Sequence, residues 1–113
     1  MKYIIAIIQP DRLDTVVEAL GEKGINLLTV SEVLGRGRQR GVTEVYRSHQ
    51  QPGSLLRKIK IEIGIQDHRA QEAIDAITLG AYTGNIGDGK IFVLDLEECV
   101  RIRTAETGDN AVA

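Results

Sequence analysis

Thr83-Gly84-Asn85-Ile86-Gly87-Asp88-Gly89-Lys90-Ile91-Phe92-Val93 holds three glycines within six residues, closed by a lysine and followed at once by an apolar run. Glycines this dense let backbone N–H groups converge on one concavity, the geometry that holds phosphate oxygens. Lys90 would add a mobile positive charge to the same cup. The spacing Gly84-x-x-x-x-Gly89-Lys90 also matches a P-loop, but two features oppose that reading. Position 91 is Ile, where a P-loop needs Ser or Thr for magnesium. The context is inverted too: a P-loop follows a strand and opens a helix, whereas these glycines follow a helical pattern and open a strand. A glycine-rich turn that binds nothing is the alternative reading of the same residues.

Working outward, the chain resolves into two similar halves. Tyr3–Ile8 is almost wholly apolar, reads as a central strand buried on both faces, and ends at Pro10. Asp11 is placed to cap a helix carrying Leu13, Val16, Val17 and Leu20 at i, i+3, i+4 and i+7, which Gly24 terminates. Residues 25–34 form a second strand, with Leu28 and Val30 alternating against Thr29 and Ser31. In the second half Ile59, Ile61, Ile63 and Ile65 alternate with Lys60, Glu62 and Gly64, a half-exposed strand. Asp67 is placed to cap a helix that repeats the first pattern with Ala70, Ala73, Ile74 and Ile77. The glycine turn, residues 83–90, then leads into a fourth strand over 91–96. Val100 and Ile102 alternate with Arg101 and Arg103 in a C-terminal strand and tail over 100–113, polar and frayed after Thr107.

This order, βαβ then βαβ, predicts an α+β ferredoxin-like sandwich, βαββαβ, with two helices on one face of a four-stranded antiparallel sheet. The other face has only loops to cover it, so self-association is expected. Between the halves, residues 35–57 show neither helical nor strand periodicity and carry Arg36, Arg38, Arg40 and Arg47 among glycines. A connection this long in a compact domain is functional or disordered, and we expect a flexible loop; a solvated basic loop is the plainer alternative.

Size and composition narrow the function classes. The 113 residues suit a single domain, 1–113, and a net charge of −2 leaves no nucleic-acid footprint. With 42% apolar and 27% charged residues, the composition is that of a soluble globular chain. No apolar run approaches a membrane span of about 20 residues, and the start leads directly into a strand, so we expect a cytoplasmic protein. Cys99 is the sole cysteine, which removes an internal disulfide and cysteine-based metal sites. His49 and His68 are the only histidines and have no clear orienting partner, so no catalytic constellation is visible. Four aromatic residues give too little to stack RNA bases on a sheet of this topology.

The glycine stretch, together with Arg101-Ile102-Arg103-Thr104, resembles the signature of the PII signal-transduction proteins, the nitrogen regulatory family. The resemblance spans nearly the whole chain. Gly35-Arg36-Gly37-Arg38-Gln39-Arg40-Gly41 and Thr43-Glu44-Val45-Tyr46-Arg47 are similar to the start of that family's long loop, and Lys58–Ile63 to the strand that ends it. The resemblance implies a homotrimer with the sheets facing inward, and ATP or ADP held between neighbouring subunits. By that resemblance Gly37 and Arg38 come from the loop base. Thr83, Gly84, Gly87, Asp88, Gly89 and Lys90 come from the glycine turn, and Arg101 and Arg103 reach across from the adjacent chain. Ile7, Thr29, Glu62 and Gly64 surround adenine and ribose. It also implies that Gln39 gives its side-chain oxygen to a magnesium ion on the ATP phosphates, and that Lys58 pairs with a carboxylate of 2-oxoglutarate. The residues alone would pass Glu62 as an outward polar residue, and Arg101 and Arg103 as surface arginines whose forks leave one strand face together.

The sequence departs from the family at several points. Gln51 stands where many members carry a tyrosine that receives a nucleotidyl group, and a carboxamide cannot replace a phenol as nucleophile. Ser48 lies one residue before the position of a serine that some members phosphorylate. Arg36 and Asp11 replace phenylalanines, and Gln9 replaces a basic residue. The expected function is a non-enzymatic regulator that senses adenine nucleotides, with 2-oxoglutarate and magnesium, and controls an unidentified target protein through loop 35–57. Contact with a membrane would be indirect, through a transporter partner. Two other readings stand beside it. One is a regulator of another transporter or pathway, such as bicarbonate transport, metal efflux or nitrogenase, that senses nucleotides without 2-oxoglutarate. The other is a nucleotide-hydrolysing or phosphoryl-transfer enzyme on the same fold.

Overall fold

The computed structural model describes residues 1–37 and 54–113. Its elements, in order, are β1 (Lys2–Ile8), α1 (Leu13–Glu22), β2 (Thr29–Gly35), β3 (Leu56–Ile65), α2 (Ala70–Ala81), β4 (Gly89–Asp95) and a short α3 (Asp109–Val112). The first six form the expected βαββαβ arrangement. All three pairings are antiparallel, in the order β2-β3-β1-β4, so β1 and β3 are central.

The strict alternation in β3 sets the two faces. Ile59, Ile61, Ile63 and Ile65 point to the helical side and are buried, opposite Ile8, Ala6, Ile4 and Lys2 of β1. Val16 and Leu20 of α1 and Ala73, Ala76 and Ile77 of α2 close this core. Burying each of these large aliphatic side chains contributes about 1.5–3 kcal/mol, which makes this face the main source of stability. The helices approach closely at Gly80, where a Cβ would stand 2.7 Å from the Val16 Cα.

The other face carries Tyr3, Ile5 and Ile7 of β1, Thr29, Ser31 and Val33 of β2, Lys58, Lys60, Glu62 and Gly64 of β3, and Lys90, Phe92 and Leu94 of β4. Phe92 and Leu94 are about half exposed. β1 is therefore central but not buried on both faces as its composition implied: Ile4, Ala6 and Ile8 are buried, while Tyr3, Ile5 and Ile7 are only partly covered.

Local signals differ from expectation in four places. Asp11 and Asp67 do not cap the helices with their side chains; each lies in a 3-10 turn, Pro10–Arg12 and Asp67–Arg69, that leads into its helix. Gly24 does end α1, at φ 74°, with its amide donating to Gly21 O and the Ile25 amide to Leu20 O. β2 starts at Thr29 rather than at residue 25, and the β2–β3 connection is narrower than 35–57 because Gly35, Leu56 and Arg57 are paired strand residues.

The largest difference is at the C-terminus. In place of a strand over 100–103 there is a turn, closed by a single bridge between Val100 and Thr107, with Ala105 at φ 61°. In place of a frayed tail, Gly108 opens α3, whose Ala111 is buried. Val112 explains the packing: its Cγ2 stands 3.1 Å from where a Cβ on Gly64 would be, so the bare backbone of β3 makes the seat for this helix.

Candidate nucleotide site

The register gathers Ile7, Thr29, Lys58, Glu62, Gly64 and Lys90 on the open sheet face. Ile7 lies between Lys60 of β3 and Lys90 of β4. Thr29 of β2 and Ile5 of β1 flank Glu62, and Gly64 lies opposite Tyr3. Lys58 is buried on the same face, one residue beyond the Ile8–Ile59 pair, with Val33 opposite it. Gly37 lies just past the end of β2. Arg38, Gln39 and the loop residues Arg40, Arg47, Ser48, His49 and Gln51 lie outside the described residues.

The glycine turn is built around a carboxylate. The amides of Thr83 and Gly84 donate to Asp88 Oδ2 at 2.8 and 2.9 Å, and the Thr83 hydroxyl donates to Asp88 Oδ1. The Asn85 amide donates to Thr83 Oγ1 at 3.2 Å. These bonds hold the Asp88 carboxyl below its ordinary range: the Thr83 hydroxyl contributes most, then the two amides and the nearby Arg12 guanidinium. The Thr83 and Gly84 amides, expected to face a phosphate, are thus spent within the turn, and Asp88 is its organiser. The amides of Ile86 and Gly87 have no such partner among the described residues.

Gly84, Gly87 and Gly89 have φ of 89°, 104° and 112°, a region closed to most L residues. Gln9 anchors the turn to β1 by donating from Nε2 to Gly87 O at 2.8 Å. Beside it, Ile8, Tyr82, Asp88, Gly89 and Lys90 line a cleft of about 300 Å³ that runs back to Ile77 on α2. The side chain of Lys90 is exposed and makes no hydrogen bond or ion pair among the described residues.

Glu62 is more than an outward polar side chain. It accepts a hydrogen bond from the Tyr3 hydroxyl, and Lys60 Nζ stands 3.8 Å from its other oxygen. This carboxylate contact, reinforced by burial, raises the Tyr3 phenol above its ordinary pKa. Tyr3 was missed in the sequence because its partner is 59 positions away and nothing local marks it.

Arg101 and Arg103 do not leave one strand face together. Arg101 turns inward: Nη2 donates to Ala111 O at 3.1 Å and Ala113 O at 2.9 Å, and Nε pairs with Glu106 at 3.3 Å. Arg103 is exposed in the turn, with no such partner among the described residues. Both lie beyond the Asp95 end of β4, whereas the glycine turn lies at its Gly89 end. Seven residues at roughly 3.3 Å each separate these ends by about 20 Å. One chain therefore does not bring Arg103 to its own glycine turn.

Among the described residues no cluster of His, Cys, Asp and Glu could hold a metal ion, and no helix is long and apolar enough to cross a membrane.

Comparison with known proteins finds relatives along nearly the whole chain. Residues 1–106 match the family model described as Nitrogen regulatory protein P-II. The chain is 53% identical over 112 residues to the nitrogen regulatory protein P-II of Azospirillum brasilense, covering 99% of this chain and 100% of that one. It is 49% identical over 112 residues to nitrogen regulatory protein P-II 2 of Methanothermobacter thermautotrophicus, covering 99% and 97%. Its fold matches the crystal structure of Arabidopsis thaliana PII bound to citrate, with a TM-score of 0.80 at 35% identity, over 98% of this chain and 88% of that one.

Proposed function

The chain belongs to the nitrogen regulatory protein P-II family, and on that footing we propose that it is a homotrimeric cytoplasmic sensor of ATP and ADP that controls a partner protein through the 35–57 connection. The observation that carries this reading is the separation along β4. Lys90 and the glycine turn sit at one end and Arg103 at the other, so a polyphosphate that uses both needs two chains. The half-exposed Phe92 and Leu94 on the open sheet face give a second copy an apolar surface to bury.

In this reading Gly37, Arg38, Gly87, Gly89 and Lys90 of one subunit, with Arg101 and Arg103 of its neighbour, take the phosphates. Thr83, Gly84 and Asp88 shape the turn, while Ile7, Thr29, Glu62 and Gly64 surround adenine and ribose. Gln39 holds magnesium on the bound ATP, and Lys58 pairs with a carboxylate of 2-oxoglutarate. The plant relative crystallised with citrate supports a carboxylate ligand in this family. In this reading the protein acts as a regulator and not as an enzyme, in keeping with a family described as nitrogen regulatory. ATP turnover should fall far below the typical enzyme value of about 10 per second.

Mixed assemblies test the shared cleft. Lys90→Ala and Arg103→Ala chains should each bind ATP poorly, and co-assembly should restore a fraction of competent clefts. A monomer by light scattering, or no rescue on mixing, would sink the two-chain site. Deleting residues 43–54 should abolish partner capture from cell extract while leaving assembly and ATP binding nearly intact.

A further inference from the structure

We infer that Tyr3 is a positioning residue for ribose recognition: its hydroxyl fixes the Glu62 carboxylate so that Oε1 accepts a hydrogen bond from a ribose hydroxyl of the bound nucleotide. The inference rests on the nucleotide reading above and adds a residue to it. Glu62 faces Ile5 across the β1–β3 pair, and Tyr3 faces Gly64, which makes Tyr3 the diagonal neighbour of Glu62. Diagonal neighbours on a sheet face are within reach when one is aromatic. Val112 of α3 covers the Gly64 position opposite Tyr3, and the Tyr3 ring leans along the sheet towards Glu62. The phenol then donates to Oε2.

The two carboxylate oxygens therefore differ. Oε2 is engaged by a neutral donor that holds the side chain in one rotamer. Oε1 has only Lys60 near it among the described residues, at 3.8 Å, beyond hydrogen-bond reach. The Glu62 side chain is 24% exposed, so Oε1 is screened but reachable. A carboxylate is an acceptor only, and the nucleotide groups it would recognise are donors. Thr29, directly opposite Glu62 on β2, extends the polar surface beside it, with the hydrophobic Ile5 on the other side. Without the phenol the carboxylate would swing towards Lys60, and each binding event would bear the cost of reordering it.

Affinities for ATP and for 2′,3′-dideoxyATP should be measured on the wild type, Tyr3→Phe, Glu62→Gln and the double variant. Tyr3→Phe should weaken ATP binding about tenfold, the size of one charge-assisted hydrogen bond, and leave dideoxyATP binding unchanged. In the Glu62→Gln background the Tyr3 change should add nothing. Unchanged ATP binding by Tyr3→Phe, or an equal loss for both nucleotides, overturns the inference. A wild type that binds neither nucleotide overturns the nucleotide reading itself, and that arm is read before any variant. A ligand-free control tests the contact alone: carbon-13 labelled tyrosine should show the Tyr3 phenol titrating lower in Glu62→Gln. No change there removes the contact on which the inference stands.

Discussion

Gly89 packs its α-carbon against the carbonyl of Ile7 so closely that a Cβ there would stand 1.8 Å from the oxygen. Gly89 also has φ 112°, so sterics and backbone conformation both demand glycine where the turn enters β4. Gly89→Ala should cost more than the roughly 1–2 kcal/mol of a left-handed residue alone, because the β1–β4 pair must move. Gly24→Ala, at φ 74° with nothing within 4 Å of the added Cβ, should cost only that smaller amount. Urea denaturation of the two variants checks the order, and equal losses would refute it.

Asp88 should make the glycine turn sensitive to acid. Its folded pKa lies below the ordinary value of 3.8, chiefly through the Thr83 hydroxyl. A depressed carboxylate contributes stability that is present above the unfolded pKa and is lost as pH falls through the folded one. The turn should therefore be intact at neutral pH and loosen only below about 3.8. Thr83→Ala should raise the Asp88 pKa towards that value. Carboxyl carbon-13 shifts follow it directly, and an unmoved titration would show that the hydroxyl does not control this carboxylate.

Arg101 should be a clasp for the C-terminal helix. Its guanidinium joins the carbonyls of Ala111 and Ala113 to Glu106 in a planar fork that lysine cannot reproduce. Both Arg101→Ala and Arg101→Lys should speed amide exchange at Ala111 and Val112, whose amides bond to Gly108 O, while the amides of β1 and β3 stay protected. Uniform loss of protection would mean that the clasp supports the whole domain.

Lys58 should separate the two proposed ligands. It is buried one residue beyond the Ile8–Ile59 pair, at the glycine-turn end of the sheet, where its ammonium would meet a small acid held beside the phosphates. With ATP and magnesium present, Lys58→Ala should weaken 2-oxoglutarate at least about tenfold, in line with loss of a charge-assisted bond, while ATP affinity changes little. Calorimetry in both ligand orders provides the check. Binding of 2-oxoglutarate that is equally strong with ADP would rule out the magnesium bridge.

The elements that were legible from sequence are those whose signal is local. Alternation of Ile59, Ile61, Ile63 and Ile65 assigns β3 and its two faces, because successive side chains on a strand point to opposite sides. Val16 and Leu20, and Ala73 and Ile77, are four apart and mark the buried stripes of α1 and α2. The glycines of the 83–90 turn were legible because their backbone angles are open to few other residues.

Contacts between distant segments were decided by the tertiary structure. Val100, Arg101, Ile102 and Arg103 alternate as a strand should, yet among the described residues they pair with no strand beyond the Val100–Thr107 bridge. Glu106 and the α3 carbonyls satisfy Arg101 instead, and the segment turns. Val112 has a seat only because Gly64, 48 positions earlier, lacks a side chain. Tyr3 reads as one more apolar strand residue until the antiparallel register sets it diagonal to Glu62. Periodicity, glycine and proline by themselves determined the βαββαβ order, because backbone geometry and side-chain alternation act over a few residues. Strand order, register and the hydrogen bonds of Tyr3, Asp88 and Arg101 came from closure of the sheet, because only folding brings those donors and acceptors together.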